Sequence, residues 1–387
     1  MVNRPMVLSG LDVLMGRDFE ILKNRRVALL TNPSGVDREL ISTFDRLSHA
    51  VNLVAIFSPE HGFSGSARAG ESVPSSRDRS TGIPIHSLYG DSYRPTPEQL
   101  NGIDVIVCDL QDVGVRYFTY IWTLSYVLEA AGEMGISVVV LDRPNPLGDR
   151  IDGNMPDEDM FSFVGRFPIP IQHGMTIGEL ARMINTVWNP TPADLEVIPC
   201  AALRRYMSWQ DTGMQWIPPS PNLPHFVNVQ HYAGACLIEG TNLSEGRGTT
   251  LPFEIVGAPW LDRDRLANRL NDEYWEHGVG FRPIVFQPNM GKYVGEVCSG
   301  VQAHILQPYS YRSVRVWLGI IALIREWYPE QFAWSENEAR HFDLLLGTRQ
   351  IRLDIEKGVS VSEITASWEH VKNTFSSHRN EYLLYET

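Results

Sequence analysis

Four short apolar runs dominate the first half of this 387-residue chain, each ending in a polar, Gly- or Pro-containing cluster. They sit in RVALLTNPSG, VNLVAIFSPEHG, IDVIVCDLQDVG and SVVVLDRPNPLG. Runs of this length, rich in β-branched residues and apolar on both faces, are strands covered on both sides. Helix-like stretches separate them, notably LISTFDRLSHA and the segment from Tyr117 to Gly135. Strand and helix in alternation predict an α/β fold with a Rossmann-like, mostly parallel sheet. No G-x-G-x-x-G follows any of the strands, so a dinucleotide site is not expected.

The length exceeds what one core usually organises, so two domains are expected. The first, 1–200, is the Rossmann-like sheet domain, and the second, 201–387, is a smaller α+β domain. The Trp-, Pro- and Ser-rich stretch 204–224 is a candidate crossing between them. A net charge of −13 speaks against nucleic acid, because binding phosphate needs a basic surface. No run approaches the roughly 18 apolar residues of a membrane span. The opening MVNRPMVLSGLDVLMGRDFE lacks a long apolar core and a small-residue cleavage site, so a cytoplasmic protein is expected. The four cysteines Cys108, Cys200, Cys236 and Cys298 lie far apart with no CxxC pair, which reads as buried thiols and not a zinc site.

Open parallel sheets bind ligands at the carboxyl ends of their strands. Here those ends carry Asn32, then Glu60 and His61, then Asp109, Gln111, Asp112 and Arg116, then Asp142, Arg143 and Asn145, with Tyr120 in the helix-like segment from Tyr117 to Gly135. If the strands are parallel neighbours, all of these converge on one rim. Each has a structural alternative. Asp109 and Asp112 are also good helix caps, and Asp142 with Arg143 also makes a buried ion pair that orders its own Pro-rich loop. In QHGMTIGELA, Thr176 and Glu179 read as a capping box, which puts His173 in the loop entering a helix. WIPPSPNLPHF is too Pro-rich for helix or central strand and reads as an ordered loop with Ser220 and Asn222 as polar tips. In it Trp216 offers a flat face of the kind that stacks on sugars. Glu239, Glu245 and Arg247 lie among glycines, where a backbone can approach a ligand closely.

This inventory supports hydrolysis without a cofactor. Carboxylates are plentiful, and glycoside cleavage usually needs two of them. There is no G-x-S-x-G elbow, no H-E-x-x-H helix and no Walker loop. Two alternatives stand beside a glycosidase. One is another hydrolase of amino-sugar or wall-peptide substrates, metal-dependent through Glu60, His61, Asp109, Asp142 and His173. The other is a sugar-binding protein without catalysis.

The blocks FSPEHGFSG, SLYG, DLQDVGVRYFTY, LDRPNPLG, QHGMTIGELA, PPSPNLP and EGTNLSEGRGTTLPFEIVGAPW resemble the family of NamZ-type exo-β-N-acetylmuramidases, long known as a domain of unknown function. The resemblance runs from about Arg26 to about Val301 and continues more weakly beyond. It implies a glycoside hydrolase that removes N-acetylmuramic acid from the non-reducing end of peptidoglycan fragments during cell-wall recycling. It also implies a site in a cleft between the two domains and a small muropeptide or disaccharide substrate; no metal is expected, because no close-spaced ligand pair stands on one helix or turn. The glutamate of the family's Glu-His-Gly block maps onto Glu60 as the leading catalytic residue. Glu245, Glu239 and Asp112 are the candidates for a second carboxylate. The sugar's lactyl carboxylate calls for a cation, and Arg116, Arg143 and Arg247 are the candidates. His61, Asn32, Gln111, Tyr120, Asp142, Asn145, His173, Ser220 and Asn222 complete the expected substrate-binding set. The sugar's own 2-acetamido group is an alternative internal nucleophile.

Overall fold

The computed structural model of the protein describes residues 6–68, 70–335 and 341–386. Residues 1–5, which open the stretch read above for a leader, lie outside the described residues. The four apolar runs form β1 (Arg26–Thr31), β2 (Asn52–Ser58), β5 (Val105–Asp109) and β6 (Ser137–Leu141). Three strands that the pattern did not announce, β3 (Ser76–Arg77), β4 (Pro84–Ser87) and β7 (Leu195–Ile198), complete a seven-stranded sheet. Its order is β3-β4-β2-β1-β5-β6-β7. Every neighbouring pair is parallel except β3 with β4, at one edge. The three extra strands are short or half-exposed, so they lack the continuous apolar run that marks a central strand.

Helices cover the sheet, and local chemistry sets their ends. Ser42 accepts from Asp45 N at 3.0 Å to start Thr43–Ala50. The segment expected from Tyr117 to Gly135 is helical over Tyr120–Met134, and Gly135 closes it with φ 65°. Thr176 and Glu179 form the expected capping box of Ile177–Val187. Leu29, Ile56, Val107 and Val139, from four adjacent strands, share one core cluster with Leu11, Leu14, Phe44 and Leu47. Burying each of these side chains contributes about 1.5–3 kcal/mol against the entropy of ordering the chain.

The chain divides into two compact units. The first is Met1–Arg150, His173–Pro224 and Ser377–Thr387, and the second is Ile151–Gln172 and His225–Ser376. The second unit carries a smaller antiparallel sheet of β8 (Ile255–Ala258), β9 (Val279–Phe286) and β10 (Cys298–Ile305), ordered β8-β10-β9. Its longest helix is Ser313–Trp327, which stops ahead of Pro329, since the residue before a proline disfavours helical backbone. All four cysteines are unpaired and buried. Among the described residues no helix is long and apolar enough to cross a membrane.

Candidate active site

The sheet order places a topological switch at β1. From β1 the chain moves to β2 on one side, and from β5 it moves to β6 on the other. Loops leaving the carboxyl ends of β1 and β5 therefore diverge, and a crevice opens between them. The polar clusters that end β1, β2, β5 and β6 all stand on this rim of the first unit.

Glu60 follows β2 in a tight turn. His61 and Gly62 both adopt left-handed backbone, with φ 71° and 75°, which costs a histidine about 1 kcal/mol or more and is held by the surrounding loop. The buried His61 ring directs Nδ1 to the Ala67 carbonyl at 2.9 Å, so it ties down its own loop. The Glu60 carboxylate is gripped from both ends: Thr119 Oγ1 donates to Oε2 at 2.8 Å, and Gly70 N donates to Oε1 at 2.9 Å. The Tyr89 hydroxyl also bonds Glu60, and burial together with that carboxylate pushes the phenol above its usual range. Tyr120, fully buried and pushed up by burial and then by the charge of Glu60, receives Asn32 Nδ2 at 2.7 Å and donates to the Pro219 carbonyl. Asn32 Nδ2 reaches the same carbonyl at 3.2 Å, which brings the Pro-rich loop of Ser220 and Asn222 onto the end of β1. Trp216 lies edge-on to Trp209, with centroids 5.1 Å apart, and donates to the Leu223 carbonyl at 3.0 Å.

The loop after β5 supplies a second group. Gly114 N donates to Asp112 Oδ2 at 2.7 Å, and His173 Nε2 lies 3.5 Å from the same oxygen. Met175 N donates to His173 Nδ1 at 3.2 Å, which places the ring proton on Nε2, toward Asp112. Gln111 donates to the carbonyls of Asp112 and Pro144 at 2.7 and 2.9 Å. Asn145 donates to the Met175 carbonyl at 3.0 Å. Arg116 is fully buried, and burial pulls its guanidinium down to about 10.

Two residues expected to meet substrate are occupied by the fold. Arg143 makes a forked bond to Asp109, Nε to Oδ1 at 2.5 Å and Nη2 to Oδ2 at 2.8 Å, and donates to the Val36 carbonyl at 2.7 Å. The Thr43 hydroxyl closes the same carboxylate. Burial opposes the charge on Arg143, but the Asp109 carboxylate outweighs it and raises the guanidinium. A buried ion pair is present, then, but the partner of Arg143 is Asp109 and not Asp142. Asp142 instead accepts from the Thr176 hydroxyl at 2.7 Å, Gly178 N at 2.8 Å and the Tyr385 hydroxyl at 2.5 Å, anchoring the start of the helix Ile177–Val187. Burial lifts its carboxyl to about 7.

In the second unit, Glu239, Glu245 and Arg247 form an ion network. Arg247 Nη2 donates to Glu239 Oε1 at 2.6 Å, and its Nε stands 3.4 Å from Glu245 Oε1. Lys292 donates to Glu245 Oε2 at 3.1 Å and to the carbonyls of Ile238 and Leu243 at 2.9 and 2.8 Å. Burial pushes Glu239 up, but Arg247 and His341 hold it well below the usual carboxylate range. Glu239 and Glu245 thus each meet a cation, and for Glu239 this favours a fixed negative charge over proton donation. Among the described residues no three His, Cys, Asp or Glu side chains are grouped so as to hold a metal ion.

Models of the NamZ exo-β-N-acetylmuramidase N-terminal and C-terminal domains match residues 27–227 and 230–385. The chain belongs to the NamZ family. It is 43% identical, over 99% of its length and 92% of the relative's, to the peptidoglycan β-N-acetylmuramidase NamZ of Bacillus subtilis (strain 168). It is also similar to two solved DUF1343 family proteins of Bacteroides fragilis NCTC 9343. One is 36% identical with a TM-score of 0.91, covering 98% of this chain and 99% of that one. The other is 34% identical with a TM-score of 0.77, covering 99% of each.

Within this NamZ chain, three residues around the candidate carboxylates escaped the reading of the sequence. Tyr89 and Thr119 grip Glu60, and Lys292 neutralises Glu245. Tyr89 stands in the SLYG block that carries the resemblance, which was the available signal. Thr119 stands in the DLQDVGVRYFTY block that also carries the resemblance, where it reads as an ordinary residue at a helix start. Lys292 reads as one of many exposed cations until the fold is known.

Proposed function

We propose that Glu60 is the proton donor of a glycoside hydrolase that releases N-acetylmuramic acid from the non-reducing end of peptidoglycan fragments, and that Asp112 is the second carboxylate. The observation that carries this reading is the contrast among the four candidate acids. Glu239 and Glu245 are closed by Arg247 and Lys292. Glu60 is held by hydroxyls and one backbone amide, at a strand end beside the switch point. A hydroxyl can turn from donor to acceptor, so Thr119 and Tyr89 support both the acid and the carboxylate form of Glu60, as alternation between acid and base requires.

In this reading Glu60 protonates the departing glycosidic oxygen and then takes a proton from the attacking water. Arg116 meets the lactyl carboxylate. Arg116 is fully buried on the same loop as Asp112, and because burial disfavours its charge, an anion bound beside it favours the charged form. The test is product analysis with N-acetylmuramyl-β-1,4-N-acetylglucosamine. Glu60→Gln keeps the shape and removes the transferable proton, so kcat falls by roughly 10² to 10⁴. Near wild-type turnover in a folded Glu60→Gln protein would remove Glu60 from the role of acid.

A further inference from the structure

Buried polar atoms almost always find a hydrogen-bond partner, so those that do not need an explanation. Two acceptor oxygens on consecutive residues of the loop after β5 have none: Gln111 Oε1 and Asp112 Oδ1, on side chains only 2% and 3% exposed. His173 Nε2, whose residue is completely buried, also lacks a hydrogen bond, although it stands 3.5 Å from Asp112 Oδ2. The pair is rigidly mounted. Gly114, with φ 80°, lies so close to Asn145 that an added Cβ would fall 2.2 Å from its Oδ1. Asn145 in turn holds the Met175 carbonyl, two residues past His173. Arg379, near the end of the chain, donates to the carbonyls of His173 and Gly174 at 3.0 and 2.6 Å. Fixing a histidine this firmly, with its tautomer set by the Met175 amide, prepares one N–H for one direction.

We propose that Asp112 and His173 act as one unit: the imidazole N–H and the Gly114 amide hold the Asp112 carboxylate by Oδ2, and Oδ1 receives the N–H of the substrate's 2-acetamido group. The inference rests on the reading of Glu60 as the acid. An amide N–H fills such a carboxylate oxygen with a charge-assisted hydrogen bond, and a carboxylate on that N–H makes the amide carbonyl more nucleophilic. The carbonyl oxygen attacks the anomeric carbon as the bond to the glycosidic oxygen breaks, and the Glu60 proton goes to the departing oxygen. The amide proton shifts toward Asp112, which leaves a bicyclic oxazoline. Water then attacks the anomeric carbon and gives its proton to Glu60. The bond from the anomeric carbon to the amide oxygen opens, and the amide nitrogen recovers its proton from Asp112. Two inversions give net retention. His173 is a positioning residue here, acting through Asp112. The contact of 3.5 Å closes to a hydrogen bond in the complex, as catalytic contacts do when the substrate arrives.

The experiment uses the full chain and aryl β-glycosides of N-acetylmuramic acid whose acetyl group carries zero to three fluorines. A good aryl leaving group needs little protonation, so these substrates report on the acetamido group and not on Glu60. Wild-type kcat/KM falls by on the order of 10² or more across the series, because each fluorine weakens the carbonyl nucleophile. Proton NMR shows the β-anomer as first product. His173→Ala lowers kcat by roughly 10² with KM within about threefold, and His173→Gln, which still offers an N–H, recovers most of it. In the double variant with Asp112→Asn the two losses are not additive, as expected of residues that act as a unit. Thermal midpoints confirm that each variant folds. A flat fluorine series or an α-anomer product overturns participation of the acetamido group and leaves the Glu60 reading standing. Additive losses, or His173→Gln as impaired as His173→Ala, overturn the role of His173.

Discussion

Arg143 separates a residue that reads substrate from one that holds the fold. It is 3% exposed on its side chain, its partner Asp109 is fully buried, and the fork between them is closed by bonds at 2.5 and 2.8 Å. Removing the cation by Arg143→Met leaves the Asp109 carboxylate buried with, among the described residues, the Thr43 hydroxyl against it. Stranding one member of a buried pair costs about 3–5 kcal/mol. The first unit spans roughly 200 residues, a size at which 1 kcal/mol moves the thermal midpoint by about 2–4 °C, so the midpoint should drop by about 6–20 °C. Replacing both members, Arg143→Met with Asp109→Leu, removes the stranded charge and recovers a large part of the loss. The assay is thermal unfolding by circular dichroism, with kcat/KM measured well below the midpoint. A single Arg143→Met protein that melts within 2 °C of the parent and loses kcat/KM a hundredfold on muramic substrates would refute this placement. It would make Arg143 a ligand-binding cation.

Asp142 gives a pH dependence with a definite sign. Burial raises its carboxyl from 3.8 to about 7, so the stability it contributes is complete below about pH 4 and is lost as pH rises through 7. The loss amounts to up to roughly 4 kcal/mol across that window. Urea midpoints should slope downward from pH 5 to pH 8 in the parent and flatten in Asp142→Asn; parallel slopes in the two proteins would contradict the assignment. If Arg116 reads the lactyl carboxylate, the N-acetylglucosamine analogue should be rejected by on the order of 10⁴ in kcat/KM, and Arg116→Lys should narrow that ratio. Equal kcat/KM for the two sugars would sink it. No group of acids and histidines is arranged as a metal cage among the described residues, so overnight dialysis against EDTA should leave turnover unchanged. Loss of activity restored by one divalent ion would show that turnover depends on a metal.

Local pattern carried a large share of the architecture. The apolar runs ending at Leu30, Phe57, Cys108 and Leu141 are neighbours in one parallel sheet, because a strand buried on both faces must be apolar at every position. The capping box of Thr176 and Glu179 is equally local, three residues apart. Its onward partner is not: Glu179 also meets Arg205, which no short-range rule anticipates. The polar strand ends were visible as a set, since a parallel sheet sends all of them to one rim. Their division of labour was not. Asp109, Asp112 and Asp142 look interchangeable along the chain, and what distinguishes them is a partner 34 residues away in Arg143, one 61 positions on in His173, and one 243 away in Tyr385. The same holds for Glu60, gripped by Thr119 from 59 positions away, and Glu245, neutralised by Lys292 from 47. Periodicity records which face of an element meets the core. Whether a carboxylate is a proton donor, a helix anchor or half of an ion pair depends on the charges and donors within about 4 Å of it, and only the tertiary fold brings those together.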